Sequence, residues 1–233
     1  MGALLVVAAE PRELAGIRGR CRDVRRLDCP LWYAREAVLN GRRLLLAANG
    51  HGPHLAGEAV DAIAKIEQPE ALLSAGYCGA VAPGLRSGTI VVASRIEAPR
   101  YDLQFDARPP DSMRECVVGP IVSVDWVVRT SEEKLSLHAT GAVAVEMEAA
   151  AVAARAARWW IPFYCVRSVT DTAEEDLGLD LNAARDAGGR LRTGRIVAQA
   201  CRNPFLLPEL LTLWWRSRLA AERLGDFLAD CRF

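Results

Sequence analysis

The fold of this chain is indicated most directly by residues 144–153, AVEMEAAAVA, and by residues 166–171, VRSVTD. The first stretch passes from an apolar strand into an alanine-rich helix, and the second is an apolar strand that ends on an acid. Glu146, Glu148 and Asp171 therefore lie at the ends of strands that we expect to be buried. Each acid taken alone is explained as a helix cap. Together they predict a site, because a buried carboxylate must be paired, hydrogen-bonded or neutralised.

The rest of the chain repeats this alternation of apolar strands and amphipathic helices. Strands are predicted at residues 4–8, 43–48, 71–75, 89–93, 121–124, 142–145 and 163–169. Helices are predicted at residues 11–19, 53–66, 132–137, 148–160, 181–200 and 208–227. Continuous apolar strands suit a parallel or mixed sheet that helices cover on both faces, in an α/β layered domain. Residues 99–111 contain three prolines and few aliphatic residues, which predicts a surface loop or flap.

Length and composition limit the class of protein. A chain of 233 residues that is 51% hydrophobic suits one domain over residues 1–233. The 29 lysines and arginines balance the 29 aspartates and glutamates, so bulk charge points to neither nucleic acid nor an anionic membrane as a partner. The N-terminus carries no basic leader with a long apolar run, so a cytoplasmic location is the default expectation. Seven cysteines without a Cys-x-x-Cys pair predict reduced, mostly buried thiols.

Polar and glycine-rich turns follow several of the predicted strands. These turns are residues 9–13, 49–54, 76–80 and 123–126. Ligands of α/β sheets gather at the carboxyl ends of strands, and turn glycines let a ligand approach the backbone closely. Each glycine turn is weak support by itself, but their consistent position predicts one site at this end of the sheet.

Taken together, these segments resemble the nucleoside phosphorylase and nucleosidase superfamily, which includes methylthioadenosine/adenosylhomocysteine nucleosidases and hexameric-type purine nucleoside phosphorylases. The resemblance runs nearly end to end, and its most specific part is Glu-Met-Glu at 146–148 followed by Arg-x-x-Thr-Asp at 167–171. Residues 133–142 and 202–211 further resemble the hopanoid-associated phosphorylase group. The resemblance implies a three-layer phosphorylase/hydrolase-like fold, with a central mixed sheet flanked by helices.

The family pattern implies a role for each matched residue in cleaving the N-ribosidic bond of a purine nucleoside, expected to be a 5'-modified adenosine. Asp171 would protonate or hydrogen-bond the departing base, Glu148 would bind the ribose hydroxyls, and Met147 would pack against the sugar. Glu13 would activate the attacking water, although Glu10 also aligns with the family glutamate. The further residues expected to line the substrate site are Glu146, Gly76, Tyr77, His51 near the 5' group, Trp126 near the base, and Thr170. The family also implies a homo-oligomer. No metal and no cofactor are expected.

The choice between water and phosphate as the second reactant depends on two turn residues. Phosphorylases of the family carry a phosphate-binding serine at the position of Tyr77 and a phosphate-binding arginine at the position of Ser74. Because arginine supplies a fork of charged donors that serine cannot replace, hydrolysis is favoured over phosphorolysis. A phosphorylase with phosphate as co-substrate, including a hopanoid-associated one, stays open as an alternative. So does a non-catalytic nucleoside-binding or membrane-associated relative.

Three further features have mainly structural interpretations. His51 and His54 lack a partner at metal-ligand spacing, so no metal site is predicted. Arg167 lies in an apolar strand and is expected to form a buried ion pair with Glu146. The stretch at about 205–228 is amphipathic, with arginines among leucines and tryptophans. It predicts a helix that packs on the domain or in a subunit interface, and contact with a membrane surface is the less favoured alternative.

Overall fold

The computed structural model describes residues 2–186 and 190–233. Across these residues ten strands form one sheet: β1 (Leu4–Ala8), β2 (Arg22–Arg26), β3 (Tyr33–Leu39), β4 (Arg42–Ala48), β5 (Ala71–Ala80), β6 (Ile90–Ala98), β7 (Leu103–Asp106), β8 (Val117–Ser123), β9 (Ala144–Glu146) and β10 (Phe163–Asp171). The α-helices are α1 (Ala15–Arg18), α2 (Pro53–Ala64), α3 (Ser131–His138), α4 (Ala149–Trp159), α5 (Thr193–Arg202) and α6 (Leu207–Asp230).

The sheet is mixed and is organised around the long strand β5. This strand pairs in parallel with β1 on one edge and with β10 on the other, and its last residues pair antiparallel with β9. From β10 the pairing continues through β6 and β8 back to β9, so these five strands close a ring. Strands β4, β3 and β2 extend the sheet outward from β1. The carboxyl ends of β1, β4, β5 and β10 therefore lie on one side of the molecule.

Helices cover both faces of the sheet, as the predicted three-layer fold requires. Along β1, Leu5 and Val7 join an apolar cluster with residues of α2 and α4, whereas Leu4 and Val6 join a second cluster with residues of α1 and α6. A strand that is buried on both faces needs a continuous apolar sequence, which is the pattern of residues 4–8. The predicted α/β class with a central mixed sheet is confirmed.

Three strands were not predicted from the sequence. All residues of β2 are exposed, and its sequence, RDVRR, carries no alternation of apolar and polar residues. Strand β3 includes Arg35 and Glu36. Residues 99–111, predicted as a loop or flap, instead contain a 3-10 turn and strand β7, which pairs antiparallel with β6. Backbone pairing at the edge of the sheet defines β2 and β7, and it leaves little trace in their side chains. Strand β3 lies between β2 and β4, and its polar residues interrupt the apolar pattern.

Two helix predictions and the cysteine prediction are wrong in part. The helix predicted at 11–19 forms only over Ala15–Arg18, and residues 11–14 form turns in which the side chain of Glu13 accepts a hydrogen bond from the amide of Glu10. In the helix predicted at 181–200, residues 181–184 form turns and α5 begins at Thr193, whereas residues 187–189 lie outside the described part of the chain. Only Cys78 and Cys165 among the seven cysteines are buried. No helix within the described ranges is long and apolar enough to cross a membrane.

Candidate active site

A cavity of about 260 Å³ lies at the carboxyl ends of the central strands. It is lined by nine of the ten predicted site residues: Glu13, His51, Tyr77, Trp126, Glu146, Met147, Glu148, Thr170 and Asp171. Gly76, the tenth, lies beside Glu13 and Arg167. Residues that are far apart in the sequence thus meet in one pocket, which is the arrangement expected of a ligand site in an α/β protein.

Glu13 is held by two backbone amides at the inner wall of the cavity. Its Oε2 accepts a hydrogen bond from the amide of Glu10 at 2.8 Å, and its Oε1 accepts one from the amide of Tyr77 at 2.9 Å. Burial, followed by the nearby charge of Glu148, raises the pKa of Glu13. A buried carboxylate with a raised pKa is suited to accept a proton.

Glu10, the other glutamate that aligns with the family position, has a different environment. Its carboxylate forms an ion pair with Arg12 and lies 2.9 Å from Nε2 of His51. Burial would raise the pKa of Glu10, but the hydrogen bond from His51 and the charge of Arg12 outweigh it and lower that pKa. Glu13 therefore lines the cavity, whereas Glu10 is paired with Arg12 and His51.

His51 is a partly buried histidine two residues before α2. Burial alone would lower its pKa, but the hydrogen bond to Glu10 and the charges of Glu148, Glu10 and Glu13 raise it. These carboxylates thus favour the protonated imidazole, whose positive charge offsets part of their negative charge.

Two glycines of β5 make room for these side chains. Gly76 has a φ of +156°, and a Cβ there would lie 2.7 Å from both Arg167 Nη1 and Glu13 Oε1. A Cβ at Gly79 would lie 2.9 Å from Oδ2 of Asp171. Any larger residue at either position would displace these charged groups, so glycine is needed to leave them room.

Arg167 organises the acids of the Glu-Met-Glu segment. Its fully buried guanidinium pairs with Glu146, as predicted, donates a hydrogen bond to Ser74 Oγ at 2.7 Å, and lies 3.6 Å from Glu148 Oε2. Oε2 of Glu146 also accepts the amides of Glu148 and Ala149 at 2.9 and 2.8 Å. Glu146 therefore has a structural role, because its Oε2 fixes the backbone at the start of α4.

Glu148 is fixed with its carboxylate toward the cavity. Its Oε1 accepts a hydrogen bond from the amide of Gly52 at 2.9 Å, at the N-terminus of α2. The other oxygen of Glu148, Oε2, lies 3.6 Å from Nη1 of Arg167. The adjacent Met147 is buried and supplies an apolar surface to the same wall. A fixed acceptor beside an apolar surface can bind a polyhydroxyl ring with one apolar face.

Asp171 ends β10 and is paired with a residue that sequence reasoning missed. Its Oδ1 accepts a hydrogen bond from Thr170 Oγ1 at 3.0 Å, and its Oδ2 lies 2.8 Å from Nζ of Lys134. Lys134 is fully buried and also donates to the carbonyl oxygens of Thr172 and Glu175 at 2.6 and 2.9 Å. In the sequence this lysine follows two glutamates in a short polar helix, a pattern typical of a solvated face. Only the tertiary fold brings α3 against the end of β10.

The outer end of the cavity has a different character. It is lined mainly by aliphatic side chains of α5, α6 and the segment before α5, namely Leu177, Leu181, Leu191, Ile196, Leu210 and Leu213. Trp126 is 43% exposed and lines the cavity. Within the described part of the chain, Arg12 is the only lysine or arginine that lines the cavity, and no cluster of three potential metal ligands is found.

The chain is similar in sequence to known proteins along most of its length. The family model of the phosphorylase superfamily matches residues 31–115 and 99–202. A 5'-methylthioadenosine/S-adenosylhomocysteine nucleosidase from Mycobacterium bovis is 25% identical over 89% of this chain and 97% of its own length. The corresponding protein from Haemophilus ducreyi is also 25% identical, over 73% of this chain and 85% of its own.

Solved structures show the same fold over nearly the whole chain. The Neisseria meningitidis 5'-methylthioadenosine/S-adenosylhomocysteine nucleosidase, in complex with methylthio-immucillin-A, superposes with a TM-score of 0.72 at 21% identity, covering 99% of this chain and 98% of that one. A mutant futalosine hydrolase of Helicobacter pylori superposes with a TM-score of 0.72 at 16% identity and the same coverage.

Proposed function

Because the chain belongs to the phosphorylase superfamily, we propose that it cleaves the N-ribosidic bond of a 5'-substituted purine nucleoside by hydrolysis. The observation that carries this proposal is the meeting of Glu13, Met147, Glu148 and Asp171 around one cavity. The curated relatives named above, which align over most of the chain, are nucleosidases.

The charges of the site match those that develop as an N-ribosidic bond breaks. The sugar becomes positive, and the departing base becomes negative. Glu148 and Glu13 place carboxylates at the sugar end, where they stabilise the positive charge. Asp171, at the other end, donates a proton or hydrogen bond to a ring nitrogen of the base. Lys134 then stabilises the Asp171 carboxylate that remains.

Glu13 is the base that activates water. Each of its oxygens accepts one amide hydrogen bond, and a carboxylate oxygen has a second lone pair that can accept from a water molecule. The two amides also fix its orientation, so the water is held in a defined position relative to the sugar.

Phosphate is disfavoured as the nucleophile by the charges around Glu13. Arg167 is paired with Glu146, donates a hydrogen bond to Ser74, and does not line the cavity. Arg12, the one lysine or arginine that lines the cavity in the described part of the chain, is paired with Glu10. A phosphate dianion would therefore face carboxylates without a free guanidinium. The direct test is base release in phosphate-free buffer, where we expect full activity. A rate that requires added phosphate would refute hydrolysis.

The raised pKa of Glu13 predicts the acid side of the pH profile. As the pH falls through this raised pKa, Glu13 gains a proton and can no longer accept one from water, so activity is lost. We expect the acid midpoint of kcat/KM to lie above 4.5, the ordinary value for a glutamate. A pH series in constant ionic strength measures it, and a midpoint at or below 4.5 would contradict the role of Glu13.

Lys134 is proposed as a positioning residue that acts through Asp171. Replacing it by methionine keeps the length of the side chain but removes the charge that faces Asp171 and two carbonyl hydrogen bonds. We expect Lys134→Met to lower kcat by about 100-fold, because a displaced acid no longer meets the base. The alkaline limb of the pH profile should also move, which a purely structural role would not cause.

The only other lysine of the chain provides a matched control for this experiment. Lys65 lies exposed at the end of α2, away from the cavity. Lys65→Met should leave kcat and the pH profile unchanged. If Lys134→Met is folded, as judged by circular dichroism, and retains both kcat and the pH profile of the wild type, the positioning role is wrong.

The aliphatic outer end of the cavity favours an apolar 5' substituent over a charged one. A series of adenosines with 5'-alkylthio groups of increasing length tests this directly. We expect kcat/KM to rise roughly three- to fourfold per buried methylene until the pocket is filled. A 5'-homocysteinyl group, which is charged, should be a poorer substrate than an alkyl chain of similar length. Leu213→Ser should flatten the series, whereas a flat wild-type series would contradict the assignment.

A further inference from the structure

The N-terminal half of α6 is apolar on both of its faces. On the inner face, Leu210 and Leu213 pack against the cluster of Leu179, Ala184 and Ile196. The outer face, which we call the outer stripe, consists of Leu207, Leu211, Trp214 and Trp215, together with Phe205 before the helix. Their exposed fractions range from 44% for Leu207 to 91% for Phe205. The spacing of the four helical residues places them on one side of the helix.

This apolar surface is confined to one half of the helix. Farther along, the exposed positions of α6 include Glu222 and Arg223, while Leu224, Phe227 and Leu228 are buried against the sheet. A helix that is apolar all round is normally covered on both sides. The outer stripe is therefore a surface that another molecule is expected to cover.

Positive charge predominates in the chain segment that contains the outer stripe, although the chain as a whole has a net charge of zero. Residues 190–219 contain six arginines and one acid, Glu209. Glu209 turns inward, where it accepts hydrogen bonds from the amides of Gly178 and Leu179 at 3.1 Å each. Arg195, Arg202 and Arg218 are exposed and form no ion pair with any residue that the structure describes. The guanidinium of Arg218 lies 5.0 Å from the ring centre of Trp214.

The charge distinguishes between two kinds of occupant. A second copy of the chain, docked through the same surface about a two-fold axis, would bring the unpaired arginines of both copies together. An anionic lipid surface would attract them instead, at a gain that grows with each arginine near the headgroups. Leucine, phenylalanine and tryptophan beside arginine form the pattern of helices that lie in the membrane interface.

We propose that the outer stripe docks on the surface of an anionic lipid bilayer, with α6 lying parallel to the membrane. Trp214 belongs to the stripe and also lines the cavity, so docking would bring the aliphatic end of the cavity close to the lipid. Membrane docking does not depend on the proposed reaction, since it rests on the outer stripe and its arginines.

Vesicle flotation of the full chain tests the proposal. The wild-type protein is expected to float with phosphatidylglycerol vesicles at low salt, and to bind pure phosphatidylcholine vesicles much more weakly. Leu211→Ser with Trp215→Ser should reduce the bound fraction at least about tenfold. Arg202→Gln with Arg218→Gln should reduce binding and remove part of its salt dependence.

Trp160→Ser is the matched control, because Trp160 is 94% exposed but lies outside the stripe. It should float like the wild type, and all variants should keep the thermal midpoint of the wild type. The proposal is overturned if the wild-type protein stays unbound to anionic vesicles, or if the Leu211/Trp215 variant floats as well as the control. If the wild-type protein does not bind vesicles but forms dimers, and the Leu211/Trp215 variant is monomeric, the surface binds a second copy of the chain instead.

Discussion

Asp171→Asn is expected to lower kcat by roughly 100- to 10,000-fold, the usual contribution of a general acid. Asparagine has nearly the same shape and can still hydrogen-bond the base, but it has no acidic proton to transfer. Binding of a nucleoside analogue, measured by calorimetry, should therefore change far less than kcat. The substitution also removes the carboxyl oxygen that lies 2.8 Å from Nζ of the buried Lys134, so the thermal midpoint should fall.

The interpretation of Asp171→Asn needs a control that removes a charge elsewhere. Asp61 lies on α2, where its carboxylate pairs with Arg155 at the surface. Asp61→Asn should retain the kcat of the wild type. If a folded Asp171→Asn protein keeps more than about a tenth of the wild-type kcat, Asp171 is not the general acid.

Glu13→Gln is expected to lower kcat by a comparable factor, about 100- to 10,000-fold, because an amide cannot take a proton from water. The carboxylate of Glu13 accepts amide hydrogen bonds on both oxygens, and a glutamine must turn its NH₂ group toward one of these donors. Some loss of stability is expected for this reason. Steady-state kinetics together with thermal unfolding separates the two effects, and Glu13→Asp provides a second variant that keeps the charge.

Glu10→Gln distinguishes between the two glutamates that align with the family position. Glu10 forms an ion pair with Arg12 and a hydrogen bond with His51, and it acts on the reaction only through these neighbours. We expect its substitution to lower kcat less than about tenfold. A larger loss for Glu10→Gln than for Glu13→Gln would transfer the role of the base to Glu10.

The parts of the site that could be predicted from the sequence are those that local patterns encode. The apolar runs at 4–8 and 163–169 require burial on both faces, and acids at the ends of such strands must have partners. This reasoning correctly anticipated the central sheet and the pair of Arg167 with Glu146. It also placed Glu148 and Asp171 at one end of the sheet, where the structure brings them to the same cavity.

The parts that could not be predicted depend on contacts between distant segments. Lys134 is buried only because α3 packs against the end of β10, and nothing in its own sequence surroundings distinguishes it from a solvated lysine. Likewise β7 is held by backbone hydrogen bonds to β6 rather than by an apolar pattern. The choice between Glu10 and Glu13 required the positions of the Tyr77 amide and of His51, which only the fold determines.

The most direct test of the account follows the oxygen that becomes attached to the sugar. The enzyme is incubated with a 5'-alkylthioadenosine in heavy-oxygen water that also contains phosphate, and the sugar product is analysed by mass spectrometry. If Glu13 activates water, free base forms together with a free sugar that carries the heavy oxygen at its anomeric carbon. A sugar 1-phosphate without the heavy label would show that phosphate attacks, and would contradict hydrolysis at this site.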